Sequence, residues 1–127
     1  MKGLLLVAVG GALGSIARHL LSGWTLHQTI EWRFPLSTFL VNVIGCLAVG
    51  ILGGLVVKHD LFSAETRLFL FAGVAGGFTT FSALGLETFY LLRRHEVLVA
   101  GGYVVSSVVV GILVLWLGFL AVSPRAS

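Results

Sequence analysis

Charged residues are scarce in this sequence, and no long polar block occurs anywhere along it. Asp, Glu, Lys and Arg make up 10% of the residues, whereas a typical soluble domain carries about 25%. Hydrophobic residues make up 57%, and the mean hydropathy is +1.06. This composition excludes an ordinary soluble domain. It indicates an all-α integral membrane protein with a single domain over residues 1–127.

The sequence also lacks the groups of residues that catalysis, disulfide formation or nucleic-acid binding would need. Its single cysteine, Cys46, can form no internal disulfide. The four histidines fall at the ends of apolar segments or between them, where solvated roles are commoner than metal ligation. No nucleophile is paired with a base, and no basic cluster alternates with aromatic residues. We therefore expect neither an enzyme nor a nucleic-acid-binding protein, and the net charge of +3 is best explained by loops near lipid headgroups.

Four apolar segments are long enough to cross a bilayer as helices. They cover residues 3–21, 36–57, 68–92 and 97–122, and the connections between them hold most of the charge. Each segment has roughly the 20 residues that are needed to cross about 30 Å of hydrocarbon. A cleaved signal peptide is the less favoured explanation of the first segment, because Arg18 follows the apolar run without a small-residue cleavage site. We expect four transmembrane helices.

Lys and Arg are divided evenly between the two sides of the four predicted helices. Orientation in a membrane follows the asymmetry of these residues, and here they show none. The balance predicts insertion in both orientations, with a fixed topology set by a subtler signal as the alternative. Four short helices are too few to enclose a hydrated path, so an antiparallel two-fold homodimer is the simplest closed assembly. Lys2, Lys58, Arg67 and Arg125 lie on one side, and Arg18, Arg33, Arg93 and Arg94 lie on the other.

Small residues indicate how these helices pack. Gly10 with Gly14, and Gly50 with Gly54, have the small-x-x-x-small spacing that allows helix backbones to approach closely. Ordinary helix packing is the simplest interpretation of each pair. Arg18 follows Gly10 and Gly14 at helical spacing, so its side chain faces either the protein interior or the membrane interface.

Polar side chains fall on one face of two of the predicted helices. Asn42 lies inside the second segment, where its amide needs hydrogen-bond partners. In the fourth segment Tyr103, Ser107 and Gly111 recur every four residues, which places two hydroxyls on one stripe. A lone serine in a membrane helix usually bonds to its own backbone. Ser107 is therefore evidence of a functional polar face only together with the second polar face around Asn42.

The stretch "GGFTTFS" at residues 76–82 interrupts the third segment with residues that weaken a helix. A break at Gly76–Thr80 would free backbone groups near the bilayer midplane, where broken helices hold ions. In an antiparallel dimer two such breaks would meet and enclose one small cation, for which sodium is our expectation. The alternative is an unbroken helix with a glycine packing notch. Phe81 either turns its electropositive ring edge toward an anion or packs in the protein core.

The sequence resembles the Fluc fluoride channel family, also called CrcB, over essentially its whole length. The resemblance is carried by "GSIAR", "TFLVN", "GGFTTFS" and "GYVVSS" in the first to fourth segments. It implies a passive, fluoride-selective channel of the bacterial inner membrane that exports cytoplasmic fluoride and lowers its toxicity. It further implies an antiparallel homodimer with two pores and a structural sodium ion at the dimer interface.

The resemblance also implies roles for individual residues. The main-chain carbonyls of Gly76 and Thr79 match the sodium ligands, and Arg18 matches the arginine that ends the first segment. Two positions depart from the family pattern, because Leu84 replaces a second phenylalanine and Gly111 stands where a serine is common. The residues that match the fluoride pathway are Asn42, Phe81, Leu84, Ser107, Thr80, Thr38, Tyr103 and Glu87.

A proton-coupled exporter of the small multidrug type is the alternative function. Such a transporter also uses four short helices, but it needs a carboxylate embedded in the membrane. The first segment contains none, and Glu87 is the only acidic residue inside any segment.

Overall fold

The computed structural model describes residues 1–28, 34–60 and 62–123, with the backbone alone for residues 25–28. Arg33 and Arg125, two of the cations in the charge count above, lie outside this part of the chain. Within it, helix is the only regular secondary structure. The chain forms four helical spans that are long and apolar enough to cross a membrane. The all-α membrane fold predicted from the sequence is therefore confirmed.

Three of the spans are continuous helices. Helix α1 covers Lys2–Gln28, α2 covers Leu36–His59 and α6 covers Val97–Val122. The third span is composite. It comprises α3 (Ala64–Arg67), a π-helical segment (Leu68–Ala75), α4 (Gly76–Phe78) and α5 (Phe81–Arg93), listed in chain order.

The third span begins with a capped turn and is interrupted near its middle. The Ser63 hydroxyl accepts a hydrogen bond from the backbone N–H of Thr66 at 3.1 Å, which satisfies one free donor at the start of α3. Thr79 and Thr80 then leave helical geometry between α4 and α5. The predicted break is confirmed, but it is narrower than expected, because Gly76 and Gly77 remain helical.

The spans pack in two parallel pairs. Helix α1 contacts the first half of the third span, and α2 contacts α6. A Cβ on Gly10 would lie 2.8 Å from the carbonyl oxygen of Phe69, and one on Gly54 would lie 2.9 Å from that of Phe119. Only glycine fits such approaches, so both predicted glycine pairs serve close packing between spans of one chain.

Two ion pairs at one end of the molecule fix which span termini lie together. Lys2 Nζ lies 2.7 Å from Glu65 Oε2, and Arg67 Nη2 lies 2.6 Å from Asp60 Oδ1. These contacts bring together the start of α1, the end of α2 and the start of the third span. The chain therefore crosses back and forth, as four spans with short connections require.

Candidate functional site

The side-chain amide of Asn42 hydrogen-bonds to the backbone at the break in the third span. Its Nδ2 donates to the carbonyl oxygen of Thr80 at 2.9 Å, and its Oδ1 accepts from the backbone N–H of Thr80 at 2.8 Å. Thr80 is extended, with φ −150° and ψ 118°. The side chain on α2 thus replaces the helical partners that Thr80 would otherwise have, and satisfies both backbone groups in a half-buried place.

Two carbonyl oxygens at the break lose the donors that a continuous helix would give them. In an α-helix each carbonyl accepts from the amide four residues later. The Thr80 amide donates to Asn42 instead of Gly76, and the Ala83 amide donates to the Thr80 hydroxyl at 3.2 Å instead of the Thr79 carbonyl. Both carbonyls assigned to sodium by resemblance therefore lack their helical donors.

Of the two carbonyls between them in sequence, that of Gly77 already accepts hydrogen bonds. Arg18 Nε donates to the Gly77 oxygen at 3.2 Å, and Ser15 Oγ donates to it at 3.4 Å. A Cβ on Gly77 would lie 2.5 Å from the carbonyl oxygen of Gly11, so only glycine permits this approach. Of the two orientations left open for Arg18, the structure shows the inward one. The arginine holds the end of α4 against α1.

We expect the change Arg18→Gln to lower the free energy of unfolding by about 2 kcal/mol, since a hydrogen bond from a charged donor is lost in a half-buried place. The matched control is Lys58→Gln, which removes an equal charge from an exposed position. Unfolding midpoints in detergent, followed by circular dichroism, would measure the difference. Equal midpoints for the two variants would show that the Arg18 bond contributes nothing.

A second polar cluster joins the start of α2, the middle of α5 and the first two turns of α6. Glu87 accepts from the Thr38 hydroxyl at 2.9 Å on one carboxylate oxygen, and from the Tyr103 hydroxyl at 2.7 Å on the other. Thr38 and Tyr103 are buried. Sequence analysis singled out all three residues, but their pairing joins three spans and has no local signal in the sequence.

The alignment of α2 with α6 places Ser107 level with Asn42. Thr38 and Tyr103 share Glu87, and a Cβ on Gly111 would lie 3.3 Å from Cys46 Sγ. Ser107 lies one turn after Tyr103 and one turn before Gly111, as Asn42 lies between Thr38 and Cys46. Its hydroxyl is buried and finds no hydrogen-bond partner in the described part of the chain. An unsatisfied buried hydroxyl is costly and calls for an explanation.

Phe81 and Leu84 behave differently although both were predicted to line one pathway. Phe81 is 83% exposed, which is inconsistent with core packing within one chain. Leu84 is buried beside Tyr103, in a cluster that Phe34 and Phe39 also contact. The ring of Phe34 meets that of Tyr103 edge-on, with centroids 5.3 Å apart. Sequence analysis did not identify this aromatic packing around Leu84.

An open groove runs along the break. Its volume is about 290 Å³, and Asn42, Thr79, Thr80 and Phe81 line it together with Cys46, Val49 and Leu115. No group of three or more His, Cys, Asp or Glu side chains suited to a metal occurs in the residues that the structure describes. A cation at the break would therefore be held by backbone oxygens, and an anion by amide and hydroxyl donors.

These features define a small polytopic membrane protein whose third span is broken beside a polar groove. The family described as "CrcB-like protein, Camphor Resistance (CrcB)" matches residues 5–119. The chain belongs to this family.

Related proteins are similar in sequence over nearly the full length of the chain. A "Fluoride-specific ion channel FluC" from Methylobacillus flagellatus is 56% identical over 119 residues, which are 94% of this chain and 93% of the relative. Proteins of the same name are 47% identical in Hyphomonas neptunium, over 93% of each chain, and 36% identical in Flavobacterium psychrophilum, over 94% and 96%.

Proposed function

We propose that this protein is a fluoride-selective passive channel that lets fluoride leave the cytoplasm and so lowers its toxicity. The single observation that carries the proposal is the buried, unpartnered hydroxyl of Ser107 on the level of the Asn42 amide. That amide has two N–H groups, and one of them donates to Thr80. The relatives named as fluoride channels identify the anion that these free donors would bind.

Fluoride holds its water strongly, so a pore must replace that water with other donors. These donors are the second N–H of Asn42 and the hydroxyl of Thr80, which line the groove, and the hydroxyl of Ser107 on the neighbouring helix α6. The Thr38 and Tyr103 hydroxyls lie at the next level, where they donate to Glu87. The path is thus lined by neutral donors, which can exchange between protein partners and the ion without a change of charge.

No chemical energy is needed for this function. Hydrogen fluoride crosses lipid as a neutral molecule and loses its proton in a near-neutral cytoplasm, so the anion accumulates there. A negative interior then drives fluoride outward, with a gain of about 2.3 kcal/mol per 100 mV for each ion. The comparisons give no support to proton-coupled drug export, and both oxygens of Glu87 already accept hydrogen bonds.

The functional unit in this proposal is an antiparallel homodimer. Phe81 projects from the break and is 83% exposed, beside the groove that contains Asn42 and Thr80. A second copy would cover this ring and bring it to the pathway, because the edge of an aromatic ring is weakly electropositive. Dimerisation would also bring two helix breaks together, which one chain cannot do.

A structural sodium ion at that interface forms part of the same proposal. The Gly76 and Thr79 carbonyls, without their helical donors, fit a hard cation that prefers oxygen ligands. Four such oxygens from two subunits would surround it. The cation would add a favourable potential for an anion nearby in a medium of low dielectric constant.

We expect Ser107→Ala to separate conduction from stability. Among the described residues the hydroxyl has no partner, so its loss should leave the free energy of unfolding unchanged or raise it by about 1 kcal/mol. Fluoride efflux should nevertheless fall, because a donor to the ion disappears. The matched control is Ser106→Ala, since Ser106 donates to its own helix at Tyr103. A variant that lost stability and kept its efflux would contradict this role.

Removal of sodium should destabilise the dimer. Protein purified throughout in N-methylglucamine salts should unfold at a lower temperature than protein in sodium salts of equal ionic strength, because a ligand that binds only the folded state stabilises it. Added sodium should restore the midpoint. Identical midpoints in the two buffers would contradict the sodium site without bearing on fluoride conduction.

Growth in fluoride tests the proposed function in cells. A bacterium without its own fluoride export should grow in fluoride when it expresses this chain, and should fail when it expresses Asn42→Asp at an equal membrane level. Growth in equal concentrations of chloride controls for osmotic stress. If the chain gave no protection although it was present in the membrane, fluoride export would be the wrong function.

A further inference from the structure

A basic groove lies where α5 ends, apart from the fluoride pathway. Its volume is about 450 Å³, and Tyr90, Arg93 and Arg94 line it. The third span ends at Arg93, so the groove lies at the end of a membrane-crossing segment. This is the depth at which lipid headgroups meet a protein.

The two arginines give this groove its positive charge. Within residues 1–28, 34–60 and 62–123, no carboxylate forms an ion pair with Arg93 or Arg94. At the opposite end of the molecule, by contrast, Lys2 pairs with Glu65 and Arg67 pairs with Asp60. Arg93 and Arg94 are exposed and adjacent in the sequence.

The C-terminal end of α5 presents little free negative charge that would repel an anion in this groove. The last carbonyls of a helix carry partial negative charge when they are free. Here the carbonyls of Tyr90, Leu91 and Leu92 accept hydrogen bonds from the amides of the following turn, at 2.9 to 3.1 Å. These three carbonyls are therefore satisfied, and the guanidinium groups carry the full charges at this place.

The same face of α5 is apolar on the membrane side of the groove. Leu86 and Phe89 lie two turns and one turn before Arg93 and are 52% and 54% exposed. The ring of Phe89 lies beside that of Tyr90, with centroids 6.2 Å apart. An apolar stripe that ends in paired cations is complementary to an amphiphile with acyl chains and an anionic head.

We propose that this groove binds the phosphate group of an anionic phospholipid, with Arg93 and Arg94 as donors and with acyl chains along Leu86 and Phe89. Arginine suits this role because its planar guanidinium presents paired donors to phosphate oxygens. The proposal goes beyond the proposed channel function, since lipid binding requires no fluoride conduction.

Native mass spectrometry of the full-length protein, titrated with phosphatidylglycerol, tests the proposal. Arg93→Gln with Arg94→Gln should weaken binding of this lipid by about fivefold for each charge removed. The control, Lys2→Gln with Lys58→Gln, removes two charges from the other end and should bind as the unchanged protein does. If the variant with both arginines replaced does not fold, Arg94→Gln alone is compared with the variant in which both lysines are replaced.

Each outcome decides the proposal. Selective weakening in the arginine variants, with phosphatidylcholine bound equally by all, supports it. Equal weakening in both double variants would show only a general attraction to charge and overturn it. Displacement of the lipid by millimolar inorganic phosphate would make the groove a free-anion site, and dissociation of the dimer in the arginine variants would make it a subunit interface. Either result would overturn the lipid assignment.

Discussion

Fluoride efflux from proteoliposomes should fall by about 100-fold when Asn42 is changed to Asp, since a hydrogen bond to a charged group contributes about 1.5–3 kcal/mol. The change keeps the shape of the side chain but removes both N–H groups. One of them holds the Thr80 carbonyl, and the other is free for the ion. The new carboxylate also places a negative charge beside the path of an anion.

Cys46→Ala is the matched control for this experiment. Cys46 follows Asn42 by one turn of α2 and lines the same groove. Its thiol is at most a weak hydrogen-bond donor, so efflux should remain close to that of the unchanged protein. Far-ultraviolet circular dichroism would establish that both variants are folded. A folded Asn42→Asp protein with undiminished efflux would show that fluoride does not pass this amide.

Gly50→Ala should lower the free energy of unfolding by about 3 kcal/mol or prevent folding. The added Cβ would overlap the carbonyl oxygen of Leu115 in α6. Because the overlapped atoms belong to the helix backbone, no change of rotamer relieves the overlap, and α2 must move away from α6. Titration with a denaturing detergent, followed by circular dichroism, would measure the loss.

Gly53 provides a control on the same helix. A Cβ there would lie 3.8 Å from a ring carbon of Phe119, which is an ordinary contact. Gly53→Ala should therefore be neutral or stabilising by up to about 1 kcal/mol, from helix propensity alone. If the two alanine variants unfolded at the same detergent concentration, the result would contradict a close approach of α2 and α6 at Gly50.

The spans and the break could be predicted from the sequence because their causes are local. Apolar length sets the spans, and adjacent β-branched threonines with competing hydroxyls weaken the helix at Thr79 and Thr80. The prediction that Gly76 and Gly77 leave the helix was wrong. Low helix propensity does not decide the conformation of a glycine when close packing requires it, as the approach of Gly77 to Gly11 does.

The partners of the polar residues could not be predicted in the same way. The need of Asn42 for a partner is evident from its place in an apolar segment, but Thr80 lies 38 residues away. The joint bonding of Glu87 to Thr38 and Tyr103 likewise depends on how three spans align. The exposure of Phe81 adds information that the sequence lacks, since it identifies a surface that a single chain leaves uncovered.

Fluoride efflux from liposomes that contain the purified protein tests whether the protein is a fluoride-selective channel. A potassium ionophore clamps the voltage, and chloride efflux is measured in parallel. We expect rapid fluoride efflux that depends on the ionophore, with negligible chloride efflux. A folded, membrane-inserted protein that released no fluoride, or released both anions equally, would contradict a fluoride-selective channel.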